Sequence, residues 1–261
     1  MNLSKYLEFS RVSFRESFAY RVDAFSSIFS SSIFLLLYFY VWSAIIASGH
    51  VNSSLHRIMT YFVIGQVVGN TVFVNVERYL GEKIRKGTIV NELKRPITVF
   101  SQAYFHELGN LMFNFVARAL PVGFLGLIFL QISLPGIFSS LLFLLSLFLA
   151  FNLVFLFSYS ASMLIFWTKV EWSIRGSRNR IQKIFAGTLF PLFLVPEKFQ
   201  VFFNILPFRY MVDGPITIFT GSSITTSLQI ILIQVVWIGL LLILAHFSWK
   251  KAKTKLTVQG G

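Results

Sequence analysis

Reactive side chains are sparse in this chain, and none falls at a spacing that completes a reaction centre. His106 and Glu107 begin the H-E-x-x-H pattern that holds zinc on one helix face, but position 110 is Asn110 and the second imidazole is missing. With no cysteine among 261 residues, thiol nucleophiles, thiolate zinc sites, iron–sulfur clusters and disulfides are excluded. No GxxxxGK[ST] segment occurs, so no loop cradles a nucleotide phosphate and the chain is not expected to hydrolyse ATP alone. His50, His56 and His246 stand singly near the ends of apolar runs, where an amphipathic interfacial role is favoured over ligation.

Arg118 is the one cation within an apolar run. A guanidinium there costs several kcal/mol unless it pairs, snorkels or meets water, so it is expected to face protein. Two roles stay open for it: lining a path for an anionic or polar substrate, or binding carbonyls freed near Pro121. No Asp or Glu is predicted at mid-depth, which argues against an ion-coupled carrier.

The elements that would position these residues are membrane spans. Hydrophobic residues make up 55% of the chain and charged ones 13%, and the mean hydropathy is +0.71. That leaves too little polar surface for a water-soluble globule. Roughly 20 apolar residues cross a bilayer as a helix. Phe25–Ala47, Ile58–Val76, Leu108–Leu130, Ile137–Trp167 and Ile224–Ala245 meet that length. Between the last two, Ile184–Pro196 is apolar but short and Phe199–Phe208 shorter still, and Pro191, Pro196, Pro207 and Pro215 interrupt any helix there. A short fifth span followed by a re-entrant or extracellular hairpin over 197–222 is expected, giving six spans in one all-α transmembrane domain over 1–261.

The formal charge of +13 is explained by topology and needs no nucleic acid partner. Four basic residues in 1–23, six in 77–104, five in 168–183 and four in 248–261 fall on one side, against Arg57, Lys198 and Arg209 on the other. The basic side is cytoplasmic by this rule, which places both termini in the cytoplasm. The leading segment carries no cleavable signal pattern. Over 1–23 its periodicity predicts an amphipathic interfacial helix, with Leu3, Tyr6, Leu7, Phe14 and Phe18 on one side and Lys5, Glu8, Arg15 and Glu16 on the other.

The segment over 77–107, between the second and third spans, is patterned beyond the needs of a connector. Glu82, Lys83, Arg85 and Lys86 precede Gly87; Ile89, Val90 and Leu93 follow as an apolar edge; then come Lys94, Arg95 and Pro96. A short amphipathic helix ending at the proline fits. Basic residues here also satisfy the topology rule and lipid phosphate, so composition alone does not separate an anchor from a docking element.

On these residues the sequence resembles the ABC-2 (exporter-type) transporter permeases, in particular a branch of subunits of this length ending in Gly-Gly. In that branch the loop after the second span runs as basic residues, Gly, an apolar stretch and Leu-x-Arg-Pro, matched by Arg85, Lys86, Gly87, Leu93, Arg95 and Pro96. Pro191, Pro196, Pro207, Pro215 and Gly221 keep the family's spacing before the last span, and Gly260 and Gly261 close the chain. The resemblance implies a permease subunit in the cell's inner (plasma) membrane, paired with a second permease as a homodimer or heterodimer and surrounded by membrane lipids. It implies cytoplasmic ABC ATPase subunits that hold the ATP and Mg, with no cofactor in this chain, and a coupling helix over 87–96. Two further readings remain: a membrane-embedded enzyme using Arg118, His106 and Glu107 on lipid head groups, and a non-transporting scaffold.

Overall fold

Apolar runs longer than the bilayer needs become helices because only a helix satisfies every backbone group from within. In the computed structural model, which describes residues 3–49, 51 and 53–255, the described residues are helical with no strand. Gly260, Gly261 and His50 lie outside the described residues.

In chain order the helices are α1 (Leu3–Ser17), α2 (Arg21–Ala47), α3 (Leu55–Thr71), α4 (Val76–Arg85), α5 (Ile89–Leu93), α6 (Val99–Asn114), α7 (Leu120–Leu130), α8 (Ile137–Ser162), α9 (Ile165–Thr168), α10 (Glu171–Phe185), α11 (Glu197–Ile205), α12 (Arg209–Phe219) and α13 (Ile224–Lys253). Hydroxyl caps set several starts: Ser54, Thr98 and Ser223 accept from the backbone N–H groups of Arg57, Ser101 and Thr226.

Five helical stretches are long and apolar enough to cross a membrane: Val22–Ala47, Leu55–Arg85, Val99–Leu130, Ile137–Thr168 and Ile224–Lys253. They contain the five long runs read from the sequence. The short fifth span expected over 184–196 holds no helix of that length. α10 ends at Phe185, Pro191 precedes a single 3-10 turn over Leu192–Leu194, and Pro196 precedes α11. A proline has no N–H to give and fixes its φ, so the ladder stops at each of these points.

α8 is the hub of the bundle. It packs against α13, α12, α4 and α10, and its stretch from Ala150 to Phe155 is almost wholly buried. α2 is the opposite case, with Val22, Phe25, Phe29 and Tyr40 all about 70% exposed, the pattern of a helix that meets lipid. α12 is covered on most sides: Met211, Val212, Ile216 and Ile218 are buried, and Gln234 of α13 donates to the carbonyls of Ser146 in α8 and Tyr210 in α12 at 3.1 and 2.9 Å.

α10 runs antiparallel to α3. Arg178 in α10 bonds at the C-terminal side of α3, to Val74, whereas Gly187, just after α10, accepts from Tyr61 in the N-terminal half of α3. The 186–196 segment continues upward in this sense, with Thr188 accepting from Tyr38 of α2 and Phe193 lying under Arg57.

The N-terminal α1 lies in a tight seam with α6. Ser10 donates to the Phe105 carbonyl at 2.8 Å, Ser17 lies 2.9 Å from Asn110 Oδ1, and the Tyr6 and Phe105 rings meet at 5.0 Å. Gly109 permits this approach, because a Cβ there would collide with the Ser10 carbonyl oxygen and the Ser13 side chain. Gly109→Ala is therefore expected to weaken the α1 seam by roughly 1–3 kcal/mol through overpacking. The check is maleimide labelling of Ser13→Cys, a buried position in a chain with no other cysteine: labelling rises several-fold with Gly109→Ala, and unchanged labelling would show that α1 is held elsewhere.

Candidate functional site

The segment after the second span is built from two short helices and a turn. α4 ends at Arg85, Lys86 caps it, and Gly87 takes φ 71°, a left-handed value that a side chain would strain. The chain thereby reverses into α5, which stops before the turn that contains Pro96. Arg85, Lys86, Leu93, Arg95 and Pro96 are all exposed, and Gly87 is half-buried. The structure thus gathers the six residues on one end of the bundle. Ile89 is buried and Val90 half-buried, while Leu93 points outward, so the apolar edge expected from spacing divides: Ile89 anchors α5 and Leu93 faces out.

Glu92 holds this end together. Its carboxylate meets Lys83 at 2.9 Å and Arg95 at 3.1 Å. Gln102 of α6 donates to the carbonyls of Glu92 and Ile97 at 3.1 and 2.9 Å, fixing the Pro96 turn. Leu93, Arg95, Pro96 and Val99 share a groove of about 330 Å³ with Trp249 and Lys253 of α13. The end of the last helix therefore joins the surface, which local spacing around residue 90 has no means of showing.

Beneath this end lies a buried ion pair that the sequence reading assigns to loop charges on the cytoplasmic side. Arg178 donates from Nε to Glu77 Oε1 at 2.7 Å and from Nη2 to Glu77 Oε2 at 3.1 Å, with side chains 3% and 0% exposed. Nη2 also donates to the Val74 carbonyl at 3.2 Å, and Ser158 of α8 donates to Glu77 Oε2 at 2.8 Å. Val74 lies in the break between α3 and α4, and the neighbouring Phe73 carbonyl accepts from Asn114 of α6 at 3.2 Å. Helical spacing carried the signal: Glu77 shares a face with Leu80 and Ile84, and Arg178 with Ile174, Ile181 and Phe185. A charge on the apolar face of an amphipathic helix has to find a partner inside.

Other carboxylates are also buried. Glu92, Glu107 and Asp213 are 8%, 1% and 3% exposed, so these acids are enclosed by protein. Asp213 accepts from Arg209 Nε at 2.8 Å and lies 3.0 Å from the Tyr61 hydroxyl. Glu107 accepts from Asn110 at 3.2 Å.

Arg118 sits in a π-helical turn, Phe115–Ala119, between α6 and α7. The Leu120 N–H reaches back to the Phe115 carbonyl, so the ladder is already rearranged ahead of Pro121, which supplies no N–H. Arg118 forms no hydrogen bond or ion pair among the described residues, and its buried Nε is unpartnered. A link to carbonyls near Pro121 is therefore absent: the π turn deals with the proline and leaves the guanidinium over the Phe73 ring at 5.8 Å. It lines a cavity of about 570 Å³ between α1, α4 and α6, together with His106 and Glu107. His106 stacks on Tyr79 at 4.2 Å and its Nδ1 lies 3.5 Å from Glu107. Among the described residues no group of three or more His, Asp or Glu could hold a metal ion.

A family model described as ABC-2 family transporter protein matches residues 24–260. No curated protein and no solved structure matches the chain.

Removing one member of the Glu77–Arg178 pair leaves an uncompensated buried charge and costs about 3–5 kcal/mol. Glu77→Gln and Arg178→Met are each expected to lower the unfolding midpoint of the detergent-solubilised chain, and the double variant to recover part of the loss. Single variants as stable as the parent in thermal unfolding would show that the pair bears no load.

Proposed function

Because the chain belongs to the ABC-2 transporter family, multi-pass membrane components that generally work with ATPase subunits and are not themselves catalytic, we propose that it is the permease subunit of an ATP-driven exporter worked by separate cytoplasmic ATPases. The observation that carries this reading is the clustered exposure of Arg85, Lys86, Leu93, Arg95 and Pro96 around the short helix α5, which is braced from behind. α5 is tied to α4 through Lys83 and Glu92, α4 to α10 through Glu77 and Arg178, and α5 to α6 through Gln102. A partner pressing on α5 acts on three helices at once.

The mechanism is differential contact. Nucleotide-driven closure of the ATPase subunits favours one placement of the coupling helix, and the attached spans follow the arrangement that contacts it best. ATP and Mg belong to the partner, and no residue here carries out covalent chemistry. A second permease subunit, identical or related, completes the path, since one bundle centred on a filled α8 has little room for cargo. The assignment of export over uptake rests on the family resemblance.

In this reading the α4–α5 end faces the cytoplasm of the inner membrane, as do both termini. The fifth crossing is a short, broken one over the 184–196 segment that follows α10, and α11–α12 form a re-entrant hairpin. Support comes from the antiparallel course of α10 along α3 and from the burial of α12 among α3, α8 and α13.

Docking through α5 predicts that Leu93→Asp combined with Arg95→Glu cuts recovery of a co-purifying P-loop ATPase by about tenfold or more, the usual cost of losing a central interface contact. Lys198→Glu, at the opposite end, leaves recovery unchanged. Full retention of the ATPase by the double variant would remove α5 as the docking element, and a C-terminal tag reached from outside intact cells would reverse the orientation.

A further inference from the structure

The cavity lined by Arg118 has the features of a ligand site. At about 570 Å³ it falls within the range of roughly 300–1,000 Å³ typical of small-molecule pockets. Its charges divide into two sets. Lys86 is neutralised by Glu82 at 2.6 Å and Lys83 by Glu92 at 2.9 Å. Four lining residues make no ion pair among the described residues, the cations Arg78 and Arg118 and the acids Glu16 and Asp23, and Glu107 has only His106, an ion pair when that imidazole is protonated. With or without Glu107 the remainder holds groups of both signs, the complement of a ligand that itself carries both signs.

The phosphate end is set by Arg118. Its buried Nε has no acceptor, and a planar guanidinium is best satisfied by an oxyanion that takes two parallel hydrogen bonds. The π turn holds this residue in the cavity wall, and such turns recur at functional positions. The surroundings point to a lipid over a soluble phosphate. Phe18, Val22, Met112 and Val116 are 52–70% exposed, and each lies within two residues of a lining residue. Exposed apolar residues thus occupy the same helical turns as the lining residues, as an amphiphilic ligand requires, and basic pockets between helices at a membrane face take head groups.

We infer that this cavity binds a zwitterionic phospholipid from the leaflet on the α4–α5 side, its phosphate held by Arg118 and Arg78 and its ammonium by Asp23 and Glu16. The site is independent of the ATPase partnership and needs only that α1 and the start of α2 lie at the membrane interface. Bound there, the lipid fastens α1 to α4 and α6 and supplies the hydrogen-bond acceptor that Arg118 Nε lacks, beside the nearby carboxylate of Asp23.

The test titrates the delipidated, detergent-solubilised chain with phosphatidylethanolamine, phosphatidylglycerol or inorganic phosphate and reads adducts by native mass spectrometry. One phosphatidylethanolamine is expected to bind in preference to the other two. Arg118→Gln and Arg78→Gln should each weaken it roughly 10- to 100-fold, the worth of a hydrogen bond to a charged group. Asp23→Asn should narrow the preference over phosphatidylglycerol, and Lys250→Gln, remote from the cavity, should change nothing. Arg78 is exposed on α4, so its variant keeps the fold and decides the matter even where Arg118→Gln disrupts it. Equal affinity in parent and Arg78→Gln would overturn the site. Phosphatidylglycerol bound as tightly as phosphatidylethanolamine would overturn the zwitterion assignment, and phosphate bound as tightly as lipid would make it a site for a soluble anion.

Discussion

Between Thr71 and Val76 the second spanning stretch loses its helical ladder, and carbonyls freed there would cost several kcal/mol in hydrocarbon unless other segments met them. Arg178 meets that of Val74 and Asn114 that of Phe73. Arg178 in turn needs a buried anion, which Glu77 provides from the first turn of the helix that resumes after the break. The three requirements close on one another: the break places Glu77, Glu77 retains Arg178, and Arg178 caps the break. α10 is thereby fixed against α4, and Ser158 ties both to the central α8.

The bundle is closely packed around this clamp and sparse elsewhere. α8 is surrounded by other helices and α2 is largely bare. A bare apolar helix is stable in lipid without packing, so it is free to serve as a wall for lipid or for a second subunit. The short α5, by contrast, has too few residues to hold itself as a helix and depends on Glu92, Gln102 and buried Ile89 for its shape. Its contacts, and not its own ladder, define its position.

Arg118 belongs to the same logic from the other side of the break. It lies over Phe73, whose carbonyl is the one capped by Asn114. The π turn that carries Arg118 also absorbs Pro121. One local irregularity in each of two adjacent spans opens a polar cavity at their contact, and α1 closes it by its seam along α6. The amphipathic N-terminal helix is thus a wall of a pocket.

Five of the spans were legible in the sequence because crossing a bilayer is a one-dimensional requirement: enough consecutive apolar residues and charges at the ends. The turn at Gly87, the stop before Pro96 and the failure of 184–196 to form a long helix are local in the same sense, set by the backbone limits of glycine and proline. The fates of individual charges were not local. Glu77 and Arg178 lie 101 residues apart, and each read as an ordinary loop charge obeying a topology rule, although their apolar helical neighbours marked them as inward-facing. Trp249 and Lys253 joining the α5 surface, and Arg118, His106 and Glu107 converging on one cavity with Arg78 and Asp23, likewise required the packed bundle. The sequence by itself determined which segments prefer hydrocarbon, since transfer free energy is a property of each residue. Only the tertiary structure decided which charges neutralise one another and which are left for a ligand, since that depends on distances between segments that no linear pattern records.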